Sequence, residues 1–254
     1  MNQDLSAESF LSQRALTRRL APTLVPILAL LLALAAPLGR AATEVPDVSP
    51  AERLVFLAPH LAGINAPTSL RYQFVKTDAT AGAGFTDQVD LKLARGKTTA
   101  CCTVSGTFLS GPRAMNVPEV DDASANPVVM YFLEYEVRQL QRATKGQAAH
   151  FRQRIRLALV DGASVSPTSV RWNGRDVPAT AVQISPFLDD PYRARFEREA
   201  NKTYTFVMSD AVPGRVYQIR SSLPTGAAGT SAGTNAVDET LTLVSAPDTA
   251  AKPR

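Results

Sequence analysis

Apolar and polar residues alternate along two neighbouring stretches of this chain, and this period of two sets the first limit on its fold. The alternation runs over residues 70–75 and, after a Gly/Ala-rich loop, over residues 88–93. It places every second side chain on one face of a strand. Arg95-Gly96-Lys97 then provides a turn, and residues 98–109 continue as a third strand. We therefore expect an antiparallel three-stranded meander with one buried face.

A helical period follows the strands. Asn126-Pro127 supplies a capping side chain and then a proline at the first helical position, which is typical of a helix start. Apolar spacing continues to about Thr144, and Gly146 is placed to end the helix. Residues 147–160 fit a second helix, or a strand with three arginines on one face. Their Ala, Gln, Arg and Leu content favours the helix.

Hairpin signals return after the helices. Asn173-Gly174 lies between two strand-like runs, which is the strongest short-range signal for a hairpin. A second hairpin is expected over 203–223, with its turn at 210–214. The order of strands, helix pair and strands predicts an α+β domain. We expect a single antiparallel sheet of about seven strands, able to curve strongly like a half-barrel, packed on the helix pair.

The composition changes at both ends of this predicted domain. Residues 42–53 are rich in Pro, Ser and acidic side chains, and we expect an extended lead-in. The α+β domain covers 54–223. Residues 224–254 are mostly Gly, Ala, Thr and Ser, a composition that does not offset the entropy of ordering the backbone. We expect a largely disordered tail there.

The N-terminus is typical of a secretory signal. Arg14, Arg18 and Arg19 precede an apolar run over 24–38, which is followed by the small-residue stretch Gly39-Arg40-Ala41-Ala42. These three features are the parts of a cleavable signal peptide. We expect residues 1–41 to be removed after Ala41, and the protein to reside in the periplasm. An uncleaved N-terminal anchor is the alternative, although the apolar run is shorter than the roughly 20 residues of a membrane span.

Signal removal also changes the charge. Residues 1–41 contain four basic and two acidic side chains, so the formal net charge falls from +4 to +2. We therefore expect no nucleic-acid partner. No cysteine follows the apolar run to carry a lipid, and we expect no stable membrane anchor after cleavage.

Cysteine and histidine are scarce in this chain. Cys101 and Cys102 are adjacent, so they are interpreted as two small apolar side chains, with a vicinal disulfide or an intermolecular bridge as alternatives. His60 and His150 are the only histidines. This set lacks the spacing of metal ligands, so we expect neither a metal nor a cofactor.

Short motifs provide little chemistry. Residues 229–233 (Gly-Thr-Ser-Ala-Gly) match the nucleophile-elbow pattern but lack the flanking strand and helix that it requires. The carboxylate pairs Asp121-Asp122 and Asp189-Asp190 fit a solvated loop and a helix start. We predict no catalytic residue. The candidate polar site consists of His60, in a loop bounded by Pro and Gly, with Arg152 and Arg156.

Five stretches together resemble a family of uncharacterised exported proteins of Gram-negative bacteria, at 59–64, 85–87, 126–137, 151–159 and 209–220. The likeness spans about 54–223. It implies periplasmic residence and no known activity. More remotely, antiparallel strands wrapped on helices look like the half-barrels of periplasmic lipoprotein carriers.

Three functions stay open at this point. The first is a non-enzymatic periplasmic binding or envelope-maintenance protein that holds a lipid-like apolar ligand. The second is a hydrolase using His60 and a loop carboxylate, and the third is a partner-binding module of an envelope complex. The ligand or the partner envelope protein is unknown. The residues expected to line the core or an apolar groove are Tyr72, Phe74, Tyr131, Phe132, Tyr204 and Phe206.

Overall fold

Two groups of strands, separated along the chain by two helices, form one sheet in the computed structural model, which describes residues 48–79, 81–98, 101–224 and 235–245. Over these ranges the sheet is antiparallel throughout and has nine strands in the order β4-β3-β2-β1-β9-β8-β7-β6-β5, with β4 and β5 at its edges. The strands are β1 Thr68–Asp78, β2 Ala83–Arg95, β3 Cys102–Phe108, β4 Val120–Ala123, β5 Ser164–Trp172, β6 Arg175–Ile184, β7 Thr203–Met208, β8 Val216–Pro224 and β9 Asn235–Ser245.

The predicted meander is present as β1, β2 and β3. Leu70 pairs with Leu91 and Tyr72 pairs with Val89 across β1 and β2, and all four side chains are buried. Their alternation with polar residues therefore marks the face that packs into the core. The α+β class and the antiparallel sheet are confirmed.

The Asn-Gly hairpin is also as predicted. Asn173 and Gly174 both have positive φ angles, 48° and 76°, as a type I′ turn requires. The turn joins β5 to β6, which pair along their whole length from Trp172 and Arg175 to Ser164 and Gln183.

Both longer helices form between the strand groups. Helix α2 is Val128–Thr144, and the side-chain oxygen of Asn126 accepts from the backbone N–H of Val128 at 3.1 Å. Lys145 ends α2 in the left-handed conformation, one residue before the expected Gly146. Helix α3 is Ala148–Asp161. It buries Phe151, Ile155 and Leu159 at helical spacing, so the helical interpretation of 147–160 is correct.

The prediction of seven strands is wrong by two, because β4 and β9 were missed. The tail prediction for 224–254 is wrong for Asn235–Ser245, which form β9 in the interior of the sheet. Its Val237, Leu241 and Leu243 are buried, and β1 and β8 pair with it on its two sides. This pairing supplies the stability that the composition alone does not.

The prediction of an extended lead-in over 42–53 is wrong at its end. Pro50–Glu52 form a short helix, α1, which continues as a π-helical turn over Arg53–Leu57. The hydroxyl of Ser49 accepts from the backbone N–H of Glu52 at 3.0 Å. Ser49-Pro50-Ala51-Glu52 is thus an S-x-x-E helix start. It was overlooked because the Pro, Ser and acidic content of the segment suggested an extended chain.

Several predictions concern residues outside the described ranges. These are the signal segment 1–41, residues 42–47 of the lead-in, the Gly-Thr-Ser-Ala-Gly stretch at 229–233 and the tail residues 225–234 and 246–254. No helix in the described ranges has the length and apolar character needed to cross a membrane. At the start of β3, Cys101 and Cys102 are joined as a vicinal disulfide, which is one of the expected alternatives.

Candidate functional site

A cleft with a mostly apolar lining, called the apolar cleft below, is the best candidate for a binding site in the described part of the chain. Its volume is about 700 Å³, within the range of roughly 300–1,000 Å³ that is usual for ligand pockets. It lies between three parts of the chain. These are the π-helical turn Arg53–Leu57, called the N-terminal helical turn below, the segment that contains β4, and the first half of α2. Its lining comprises Val55, Phe56, residues 115–118 and 120–127, and Val129, Met130, Tyr131, Glu134 and Arg138 of α2.

The start of α2 explains why this cleft is apolar. Residues 128–133 are six consecutive apolar residues, which cover more than the one face that a helix buries against a sheet. Phe132 is fully buried, whereas Met130 is 56% exposed. The surplus apolar side chains line the apolar cleft. Met130 is also a flexible residue that adapts to irregular apolar surfaces.

The charged groups of the apolar cleft already have partners. Glu134 accepts two hydrogen bonds from Arg152, at 3.0 and 2.9 Å, and Arg138 lies 3.7 Å from it. Asp121 pairs with Lys97 at 3.1 Å. The lining residues include no histidine or cysteine in the described part of the chain. The arrangement suits binding of an apolar chain better than acid-base or nucleophilic chemistry.

The predicted aromatic set divides between core and cleft. Tyr131 lines the apolar cleft, and its hydroxyl donates to the backbone carbonyl of Pro118 at 2.5 Å. The remaining five side chains, fully buried in the core, are Tyr72, Phe74, Phe132, Tyr204 and Phe206.

His60 is buried and hydrogen-bonded at both ring nitrogens. Nδ1 accepts from the backbone N–H of Asn126 at 3.1 Å, so Nε2 carries the proton and donates to the carbonyl of Leu54 at 2.7 Å. These two bonds require the neutral imidazole. Burial lowers the pKa of His60 because it disfavours the charged ring. The ring thus joins the N-terminal helical turn to the start of α2.

The three residues of the predicted polar site have separate partners. His60 bonds to Leu54 and Asn126, Arg152 bonds to Glu134 on α2, and Arg156 lies 3.8 Å from Glu52 of α1. The structure does not join them by any hydrogen bond or ion pair within the described ranges. Each of the three side chains instead links two neighbouring segments of the structure.

The predicted carboxylate pairs are also held by neighbours. Asp190 lies 2.7 Å from Nε2 of His150 and 3.2 Å from Nε of Arg154, and its side chain is fully buried. Asp122 accepts from the backbone N–H groups of Lys97 and Thr98, at 3.0 and 3.1 Å. These contacts order the loops in which Asp122 and Asp190 lie.

A buried polar cluster that was not among the predicted sites lies between α2 and the sheet. Lys202 donates to Oε2 of Glu136 at 2.9 Å, and the hydroxyl of Tyr204 donates to the same oxygen at 3.3 Å. Lys76 donates to Oε1 of Glu239 at 2.7 Å, and the hydroxyl of Tyr135 reaches the same atom at 3.1 Å.

Burial and the neighbouring charge of Glu239 raise the pKa of Glu136 above its usual value. Burial also opposes ionisation of Glu239, but hydrogen bonding to Glu136 and the charges of Lys202 and Lys76 outweigh it, so the pKa of Glu239 is lowered. Burial disfavours the charge of Lys202, yet the surrounding carboxyls outweigh burial and raise its pKa. The two glutamates therefore differ strongly in their tendency to bind a proton.

One part of this cluster was visible in the sequence. Glu136 lies four residues after Phe132 and four before Leu140, both buried, so it occupies the core stripe of α2. A glutamate in a core stripe indicates a buried polar partner. Glu239 could not be found in the same way, because β9 was predicted to be disordered.

The sequence matches no model of a known protein family and no curated protein. The resemblance to exported proteins of Gram-negative bacteria therefore stays a prediction. Among the residues that the structure describes, no group of three histidine, cysteine, aspartate or glutamate side chains is placed to hold a metal ion.

Proposed function

We propose that this protein is an exported, non-enzymatic binding protein of the periplasm that holds the apolar chain of a lipid-like ligand in the apolar cleft. The observation that carries the proposal is the cleft itself, with a volume of about 700 Å³ and an apolar lining. Ligand sites are commonly apolar cavities with a few polar groups that set orientation.

The placement of charge in the apolar cleft supports a ligand that is apolar along its length. Glu134 and Asp121 are already satisfied by Arg152 and Lys97, so they do not require a ligand group for their own stability. Arg138 is 45% exposed and pairs with Glu134 only at 3.7 Å, so its guanidinium can also meet an anionic headgroup at the rim. A fatty acid or a similar single-chain amphiphile has both parts.

The open sheet agrees with the proposed class of carrier. We extend the proposal to a strongly curved, half-barrel-like sheet, as in periplasmic lipoprotein carriers. The open order of nine antiparallel strands and the helices α2 and α3 support it. Because folds host many functions, this likeness adds less than the apolar cleft does.

No catalytic step is part of the proposal. The hydrolase hypothesis needs His60 to accept a proton from a reacting group, but its acceptor nitrogen already binds the N–H of Asn126. Its other nitrogen is committed to Leu54. The geometry supports a structural role for His60.

The test is binding of a fluorescent fatty acid to protein purified from the periplasm of a bacterium that expresses the full chain. Met130→Glu places a charge on the wall of the apolar cleft and should weaken binding at least tenfold. Val165→Glu is the matched control, because Val165 is also a large exposed apolar residue, 42% exposed, but lies on edge strand β5. It should bind like the unchanged protein.

Native mass spectrometry of the same preparation provides a second readout. We expect a co-purified lipid that is reduced in Met130→Glu and kept in Val165→Glu. Equal binding by both variants, or bare protein that takes up no fatty acid, would refute the proposal.

A further inference from the structure

Glu136 on α2 and Glu239 on β9 form a carboxyl pair in the interior of the protein, and one oxygen of this pair lacks a donor. Their relative exposures are 0% and 1%. Oε2 of Glu136 accepts from Lys202 and Tyr204. Its Oε1 is buried with no hydrogen-bond partner among the described residues.

The neighbour of that side chain is the carboxyl group of Glu239. Glu239 has donors of its own, from Lys76 and Tyr135 on one oxygen and from Ser221 on the other, at 3.3 Å. Two ionised carboxylates side by side in a dry interior repel each other and leave an acceptor unsatisfied. A single proton on one carboxyl removes both problems, because it changes an acceptor into a donor.

We propose that Glu136 is a carboxylic acid at neutral pH and donates its proton from Oε1 to Glu239, so that one shared proton joins α2 to β9. Glu136 holds the proton because Glu239 has the closer cation, Lys76, and the larger number of donors. The raised pKa of Glu136 and the lowered pKa of Glu239 agree with this assignment.

The titratable and charged groups around the carboxyl pair come from every element packed against it. Lys202 also contacts Glu199 at 3.7 Å, which Arg198 approaches from the surface at 3.5 Å. The remaining groups are Tyr135 and Arg142 on α2, Tyr204 on β7, Ser221 on β8 and Lys76 on β1. None of these donates to Oε1 of Glu136.

The shared proton also has a consequence for the apolar cleft, and this step rests on the proposed function. The same helix presents Val129, Met130 and Tyr131 to the apolar cleft and Glu136 to the sheet. Loss of the proton places a second negative charge next to Glu239 and weakens the contact of α2 with β9. We expect the wall of the apolar cleft to loosen, and the affinity for an apolar chain to fall, as the pH rises.

The proton is tested without any ligand. In protein labelled with carbon-13 at the glutamate carboxyl, NMR should show one glutamate that is still protonated at pH 7 and titrates above neutrality. This signal should be absent in Glu136→Gln and kept in the control Glu197→Gln, whose side chain is exposed. In Glu239→Gln it should titrate at lower pH, because the neighbouring charge is gone. A glutamate spectrum in which all groups are ionised at pH 7 would overturn the proposal.

The effect on the apolar cleft is measured separately, by titrating the fluorescent fatty acid against pH. The unchanged protein should lose affinity between pH 7 and 9 at least threefold more than Glu136→Gln does. Parallel pH profiles would overturn the coupling of the proton to the cleft. Absence of binding in every variant at every pH would overturn the proposed function, while the NMR titration would still decide whether the carboxyl pair shares a proton.

Discussion

The side-chain amide of Asn126 donates one hydrogen bond to the hydroxyl of Tyr72, at 2.9 Å, and thereby ties the start of α2 to β1. The same nitrogen donates to the carbonyl of Gly214 at 3.0 Å, and the Asn126 backbone N–H donates to His60. One buried residue thus connects the N-terminal turn, the meander, the helix pair and the β7–β8 turn. All three hydrogen bonds lie at the start of α2, the helix that forms one wall of the apolar cleft.

Asn126→Ala should destabilise the protein by about 2–4 kcal/mol. The substitution removes the cap of α2, leaves the buried Tyr72 hydroxyl without the donor that Asn126 supplies, and removes one of two donors to the Gly214 carbonyl. Urea unfolding followed by circular dichroism measures the change. Asn65→Ala, at an exposed position, should change stability by less than about 0.5 kcal/mol. Equal losses in the two variants would contradict the role of Asn126.

His60 should make the protein less stable in mild acid. Burial lowers its folded-state pKa, so the unfolded chain takes up a proton below the ordinary value of 6.5 before the folded protein does. Stability from this group is therefore present above pH 6.5 and is lost as the pH falls, at up to about 1.4 kcal/mol per pH unit. Urea midpoints at pH 7.5 and pH 5 should differ less in His60→Gln, which cannot titrate. An unchanged difference would show that other groups cause the acid sensitivity.

Lys202→Met should cost about 3–5 kcal/mol, because it removes the one ammonium group of the described residues that donates to Glu136 and leaves the charge of buried Glu239 less compensated. The apolar side chain of methionine keeps most of the volume of lysine, so the loss of stability reports on the charge. Lys92→Met on β2 is the control, since Lys92 is exposed, and we expect little change. Thermal unfolding of both variants at pH 7 provides the comparison. A similar melting temperature for the two would indicate that Lys202 contributes no net stability.

Glu136→Gln should remove one source of alkaline destabilisation. The folded-state pKa of Glu136 is raised from 4.5 to about 8, so between these values the unfolded chain releases a proton that the folded protein keeps. Stability from this group is full below about pH 4.5 and declines as the pH rises towards 8. The unfolding constant of the unchanged protein should therefore rise more steeply between pH 6 and 8 than that of Glu136→Gln. Denaturant unfolding across this range measures both slopes, and equal slopes would contradict the prediction.

The C-terminal strand should be essential for folding. A chain ending at residue 234 lacks β9 and leaves β1 and β8 unpaired where they now contact it, so we expect an unfolded or aggregated product. A chain ending at residue 245 keeps β9 and should fold. A synthetic peptide of residues 235–245 should restore the circular dichroism spectrum of the shorter chain, because strand addition satisfies both edges. Cooperative unfolding of the shorter chain alone would contradict this role.

Sequence reasoning succeeded where the signal was local. Asn173-Gly174 requires positive φ angles whatever the rest of the fold does, and Asn126-Pro127 starts a helix with its own side chain. Glu136 was also within reach, because its position in the core stripe of α2 follows from periodicity alone.

The features that sequence reasoning missed depend on contacts between distant segments. Strand β9 is stable because it pairs with β1, more than 150 residues earlier in the chain, and no local pattern contains that information. The apolar cleft exists because Val55 and Phe56 meet residues 115–131. Tyr131 belonged to the predicted aromatic set, but nothing in the sequence distinguished it from the five tyrosines and phenylalanines that are buried in the core.

Because β9 lies in the interior of the sheet, the sheet is completed late in folding. A chain synthesised N-terminus first cannot complete the described sheet until residue 245 has been added, because β1 pairs with β9. Until then the position between β1 and β8 is empty, and the sheet is incomplete. A chain that ends before residue 235 keeps unpaired edges on β1 and β8, which are exposed to association with other chains.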